Sequence, residues 1–227
     1  MKTQIAGYET QILCAGQRTE ALPLILLNGD RNETETIFEE VRRINEKGFI
    51  LLGIQVRDWN SELSPWPSEA IFKGGEDFSG NADSYLKTIL EKILPEAEDH
   101  LKSKDIRISS YGIAGYSLAG LFALYSAYRT SRFSRIASVS GSLWYPGLME
   151  MVKKEKISTE IRTVYLSLGD KEALTRNPVM ATVRRNSEMI AEHLNRSAST
   201  VFELNEGNHF KDPGIRTAKG ISYILNN

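Results

Sequence analysis

The chain has 227 residues, and at roughly 150 residues per domain that length favours one large domain with ample material for a buried core. Hydrophobic residues make up 41% and charged residues 25%, an ordinary globular balance that excludes disordered, collagen-like and coiled-coil chains. Its 28 Lys and Arg against 29 Asp and Glu leave a net charge of -1, so the broad basic field that nucleic acid or an anionic membrane requires is missing, and a small-molecule partner is expected.

The first nine residues lack the apolar core of a signal peptide, and no window approaches the roughly 20 apolar residues of a membrane span, so a cytoplasmic protein is expected. The one cysteine, Cys14, lies in the apolar run 11–15 and reads as a buried structural thiol. An apolar strand over 23–27 ends in Asn28-Gly29-Asp30. A helix over 33–47 carries Ile37, Phe38, Val41 and Ile44 on one face and stops at Gly48, and a second apolar strand covers 49–56. Strand, helix, strand is the unit of a parallel sheet. The stretch 57–80, rich in Pro, Ser and Gly and holding Trp59, Trp66 and Phe72, is too long for an ordinary connection.

Beyond it the alternation resumes: helix 82–101, strand 107–114, helix 118–128, strand 136–139, short helix 148–154 and strand 163–168. A helix then starts at Pro178 behind the cap Asn177, followed by strand 200–204 and helix 214–225. With no repeat or linker, the pattern implies one α/β domain over 1–227, a doubly wound, mostly parallel sheet with helices on both faces.

The chemistry is concentrated at strand ends. Gly115-Tyr116-Ser117-Leu118-Ala119-Gly120 joins a strand directly to a helix, the setting of a nucleophile elbow, although Ala119 stands where the usual G-x-S-x-G has glycine. A serine hydroxyl needs a base. Of three histidines, His100 and His193 sit in ordinary charged helical contexts, whereas His209 lies in a loop leaving the last strand at its carboxyl end, where open α/β sheets place their sites. Strand 163–168 runs into Gly169-Asp170-Lys171-Glu172, which offers two carboxylates, and strand-end position alone favours Asp170. The order Ser, acid, His is that of α/β-hydrolases. The backbone N–H of Leu118 and one from Gly29-Asp30, with Asp30 N–H preferred, would form the oxyanion hole, the Asp30 carboxylate being turned away or paired with Arg31. Three scattered histidines and one cysteine offer no metal-ligand spacing, and no cofactor is implied.

Five segments, residues 26–30, 115–120, 140–144, 168–172 and 206–209, resemble the esterase D and enterochelin-esterase-like group of α/β-hydrolases, and the resemblance spans 23–210. Residues 80–86 and Arg57-Asp58 resemble further segments of that group. It implies an ester substrate, such as a siderophore lactone, a feruloyl or acetyl sugar or S-formylglutathione, or acyl transfer between sugars. It also maps the acid onto Glu172, although some siderophore hydrolases of the group rely mainly on serine and histidine. Trp144 after a strand end is expected to line the pocket, with Trp59 and Trp66 as the opposite wall and Tyr116 and Arg57 as further substrate contacts. Two rival readings keep the fold: an acyltransferase on the same residues, and a non-catalytic binding protein. Oligomeric state is left open by the sequence.

Overall fold

The computed structural model describes residues 2–17, 19–30, 33–72 and 74–227. An eight-stranded sheet runs in the order β1-β2-β4-β3-β7-β8-β9-β10. Its strands are β1 (Lys2–Ile5), β2 (Tyr8–Ala15), β3 (Ala21–Gly29), β4 (Phe49–Gln55), β7 (Arg107–Tyr116), β8 (Arg135–Val139), β9 (Thr163–Gly169) and β10 (Ser199–Asn205), and β5 (Pro67–Ser68) pairs with β6 (Phe78–Ser79) as a separate ribbon. From β4 to β10 every neighbouring pair is parallel, while β1 and β2 form an antiparallel hairpin added to the β4 edge.

Side-chain alternation divides the core between two faces. On β3, Leu24 and Leu26 join the larger cluster, packed under α3 (Ala82–Thr88), α4 (Leu94–Lys102), α5 (Leu118–Ser126), α6 (Leu148–Lys154) and α7 (Val183–Leu194). Ile25 and Leu27 join the smaller cluster under α1 (Glu33–Ile44) and α8 (Pro213–Asn226). Both faces being covered is what the near-continuous apolar runs required.

The sheet reverses its winding between β3 and β7. From β3 the chain moves outward to β4, then crosses back through α3 and α4 to enter β7 on the other side of β3. Ligand sites in open α/β sheets form at the carboxyl ends of strands flanking such a reversal. Here Asn28 of β3 pairs with Gly115 of β7, so the Asn28-Gly29-Asp30 loop and the Ser117 turn are neighbours by register.

Several details differ from the sequence reading. Cys14 is exposed, not buried: it shares the inward parity of Tyr8, Thr10 and Ile12, but lies at the far end of β2. Helix 82–101 is interrupted by a π turn over Ile89–Ile93, because Pro95 has no N–H to give Glu91 and its ring crowds that carbonyl. Asn177 caps only a tight turn, accepting from Val179 N and Met180 N, so α7 starts at Val183. The stretch 57–80 holds the short helix α2 (Trp59–Glu62) and the β5–β6 ribbon. Among the described residues no helix is long and apolar enough to cross a membrane.

Candidate active site

Ser117 sits between β7 and α5 with φ 58° and ψ -123°, a conformation that L residues avoid unless their surroundings enforce it. Three backbone bonds do so: Ser117 N–H donates to Val139 O at 3.1 Å, and Ser117 O accepts from Leu121 N–H at 3.1 Å and Ser142 N–H at 3.0 Å. Glycine at 115 is a steric necessity, since a Cβ there would stand 2.3 Å from Ala119 O. That missing Cβ also makes room for the Ala119 methyl in place of glycine.

His209 bridges Ser117 and an acid. Its Nε2 is 3.0 Å from Ser117 Oγ, and its Nδ1 is 2.7 Å from Glu172 Oε2. The imidazole side chain is 30% exposed and the Glu172 side chain 5%, so a partly wet ring leans on a dry carboxylate. Burial works to raise the Glu172 carboxyl, but hydrogen bonding and charge from His209, with help from Gly169 N–H and Ser140, outweigh it and hold the group below the usual carboxylate range. The Glu172 carboxylate is further fixed by Gly169 N–H to Oε1 at 2.7 Å and by Arg216 Nη1 to Oε1 at 3.1 Å.

Asp170, the acid favoured by strand-end position, does not meet the imidazole. It is exposed, and its Oδ1 accepts from Gly207 N–H at 2.7 Å, shaping the turn that leads to His209. Glu172 gets there because Glu172 N–H donates back to Gly169 O at 3.1 Å, curling the chain so that position 172 faces the sheet end. The His209 loop is held by Tyr116, whose hydroxyl donates to His209 O at 2.6 Å with the two rings 5.2 Å apart.

Leu118 N–H opens α5 and, as a first-turn donor, needs an acceptor outside the helix. Asp30 N–H, the expected second oxyanion donor, already donates to Glu33 Oε2 at 3.2 Å, while Glu33 N–H returns a bond to Asp30 O at 3.3 Å. The two bonds close a turn between Asp30 and the first residue of α1. Gly29 lies against the same carboxylate, since a Cβ on it would stand 2.9 Å from Glu33 Oε2. Arg31, the expected partner of the Asp30 carboxylate, lies outside the described residues.

The aromatic residues separate. Trp59 and Tyr116 do share a cavity of about 310 Å³, walled also by Leu27, Ile37, Pro213 and Thr217, and its members Asn28 and Tyr116 adjoin Gly29-Asp30 and Ser117 in the chain. Trp66 is not its wall. Its indole N–H donates to Pro146 O at 2.8 Å, its carbonyl accepts from Tyr145 OH at 2.6 Å, and its ring meets Tyr125 and Tyr145 edge-on, all packing roles. Trp144 packs on Phe78 and Tyr145 and lines a different depression, with Pro178 and Val179. Arg57 stacks its guanidinium 3.8 Å from the Tyr8 ring centroid and pairs with Glu62 at 3.5 Å, so it is engaged with the β1–β2 hairpin and not with Ser117 or His209.

Residues 15–210 match the family model described as "Putative esterase". The uncharacterized protein YbbA of Bacillus subtilis (strain 168) is 23% identical over 175 residues, which cover 77% of this chain and 70% of that protein. Among solved structures, the siderophore hydrolase EstA from Aspergillus nidulans is similar with a TM-score of 0.75 at 20% identity, covering 100% of this chain and 94% of that one. The enterobactin esterase FES from Shigella flexneri is similar with a TM-score of 0.69 at 18% identity, covering 96% of this chain and 56% of that one. The fold is that of the α/β-hydrolases.

Proposed function

The chain belongs to the putative-esterase family and is a carboxylic ester hydrolase, and on that premise we propose that it is a serine esterase in which Ser117, His209 and Glu172 form the catalytic triad. The single observation that carries this reading is the His209 bridge, with Ser117 Oγ at 3.0 Å on one nitrogen and Glu172 Oε2 at 2.7 Å on the other.

In the first half-reaction Ser117 Oγ bonds to the ester carbonyl carbon as His209 Nε2 takes the hydroxyl proton. The carbonyl π pair moves onto oxygen, which Leu118 N–H and Asp30 N–H receive, the latter after Glu33 lets go. Collapse re-forms the carbonyl and breaks the bond to the alcohol oxygen, which leaves with the proton from His209. A water then repeats the sequence on the acyl-Ser117 ester, giving the acid and restoring the serine. Glu172 keeps the Nδ1 proton in place and stabilises the imidazolium.

The substrate is a small ester, one arm of which enters the cavity beside Trp59 and Tyr116. The likeness to EstA and FES favours siderophore esters as the first class to try. The test is hydrolysis of p-nitrophenyl acetate and butyrate, methyl ferulate, an acetylated sugar and a catechol-siderophore lactone by wild type and Ser117→Ala. Losing the nucleophile is expected to cost on the order of 10⁴-fold or more in kcat; an alanine variant that hydrolyses as well as wild type would falsify the triad.

A further inference from the structure

Arg216 of α8 stands behind the triad acid with its side chain only 3% exposed. A guanidinium is costly to bury unless it is paired and hydrogen-bonded, and here the partners are Glu172, Tyr116 next to Ser117, the start of the His209 loop, and Ser140. Nη1 lies 3.1 Å from Glu172 Oε1, 3.3 Å from Ser140 Oγ and 3.4 Å from Tyr116 OH. Nη2 donates to Glu206 O at 2.8 Å, at the start of the loop that holds His209. Gly169 leaves the room for this, since a Cβ there would stand 2.9 Å from Nη1 and 2.4 Å from Gly207 O.

The arrangement has an electrostatic consequence. A buried carboxylate hydrogen-bonded to an imidazole favours the charged form of the ring, and a protonated ring is no base; here that contact is 2.7 Å. The guanidinium on the other carboxylate oxygen offsets part of that pull. Besides Glu172, the groups in contact with the His209 ring are neutral, and the charged side chains around its loop lie at the margin. Tyr116 and Ser117 come from β7 and its turn, Asp170 from the β9 end is spent on Gly207 N–H, and Glu206 and Lys211 of its own loop pair with each other at 2.9 Å in solvent. Asp212 begins α8, and Lys171 is exposed on the β9 loop.

We propose that Arg216 is a positioning residue of the esterase, holding Glu172 with Oε2 toward His209 and setting, through the charge it sets against Glu172, the pH at which His209 is free to act as base. The inference rests on the serine-esterase reading of Ser117 and His209. It predicts an order that a merely structural arginine would not produce.

The experiment is the acid limb of kcat/KM on p-nitrophenyl acetate for wild type, Arg216→Lys, Arg216→Met, Glu172→Gln and the double variant, with Ser117→Ala as blank. Removing the cation leaves a net negative charge at the imidazole, so the Arg216→Met limb is expected about one unit above wild type. Glu172→Gln leaves a net positive charge and a limb below wild type, and the double variant falls between the two singles. Arg216→Lys keeps the charge and loses the fork, so kcat falls while the limb stays with wild type. Where Arg216→Met does not melt cooperatively, the comparison of the double variant with Glu172→Gln decides, the double having to lie at higher pH. Limbs that coincide across the folded variants overturn the proposal while leaving the esterase reading intact. Hydrolysis that survives in Ser117→Ala overturns that reading itself.

Discussion

Tyr85 of α3 donates its hydroxyl to Asn28 Oδ1 at 2.6 Å, a bond made wholly inside the protein between the first helix of the crossover and the last turn of β3. Burial pushes the phenol well above its ordinary value, so it remains a donor at any working pH. Asn28 Nδ2 has no hydrogen-bond partner among the described residues, which makes this bond the amide's anchor on that side. Tyr85→Phe keeps the ring against Tyr8 and Phe122 and strands a buried acceptor. That is expected to cost about 1–3 kcal/mol, a Tm drop on the order of 5 °C for a chain of this size. The same variant loosens the loop that carries Asp30, so kcat falls with it. Thermal unfolding and ester hydrolysis on one preparation check both, and a melt within a degree of wild type removes Tyr85 from this role.

The two carboxylates after β9 divide their labour, and substitution separates them. Glu172→Gln removes the charge that fixes His209 Nδ1, and a loss of about 10²- to 10⁴-fold in kcat is expected. Asp170→Asn keeps an oxygen for Gly207 N–H and is expected to stay within a few-fold of wild type on the same ester. Equal losses in the two variants would mean that the loop as a whole, and not the Glu172 contact, sustains activity.

The alternation from β3 to α8 was legible because each parallel strand is a short apolar run closed by glycine or a polar turn, and each helix shows its stripe. The N-terminal hairpin was not. In β2, Tyr8, Thr10 and Ile12 face inward between exposed or half-buried neighbours, and the apolar run 11–15 extends past the covered part of the strand, so Cys14 is exposed although it shares their parity. Ser117, His209 and the pair Asp170/Glu172 could be named from strand ends, since topology alone gathers those ends on one side of the sheet. Which carboxylate meets the imidazole depends on a turn closing back on Gly169, and periodicity carries no information about that. Arg216 escaped notice because a lone arginine in the amphipathic helix 214–225 looks like a solvent residue until α8 is docked and its side chain is found among Glu172, Ser140 and Tyr116. Trp66 and Trp144 show the opposite error, aromatic residues at plausible positions whose partners turn out to be other rings.

Glu33 Oε2 occupies Asp30 N–H, so the turn ahead of α1 and the proposed oxyanion hole compete for one donor. No cation stands within ion-pair distance of Glu33 among the described residues, and its charge opposes a developing oxyanion. Glu33→Ala is therefore expected to lower stability by about 0.5–1.5 kcal/mol through loss of that hydrogen bond, while kcat on p-nitrophenyl acetate rises several-fold. Chemical denaturation beside steady-state kinetics measures the two effects. A fall in kcat in a variant that is still folded would mean that Glu33 holds the donor in place for the substrate instead of withholding it.

Acid should weaken the fold through Glu172. The Glu172 carboxyl titrates below its usual value of 4.5 in the folded protein, against burial, because His209, Gly169 N–H and Ser140 favour the charged form. In the unfolded chain the group takes its proton at the ordinary value, so between the two values the unfolded state binds more protons and stability rises with pH. The contribution is therefore complete above about pH 4.5 and is lost as pH falls through the lower folded value. Glu155, lowered by its hydrogen bond to Arg129, adds a smaller slope in the same window from a surface position where solvent screens the pair. Urea midpoints taken from pH 7 down to pH 3 are expected to hold steady and then drop. In Glu172→Gln, which has no proton to gain at that position, the midpoint should be lower at pH 7 and the acid drop shallower. If the two curves run parallel through the acid range, Glu172 is not the group that links the fold to pH.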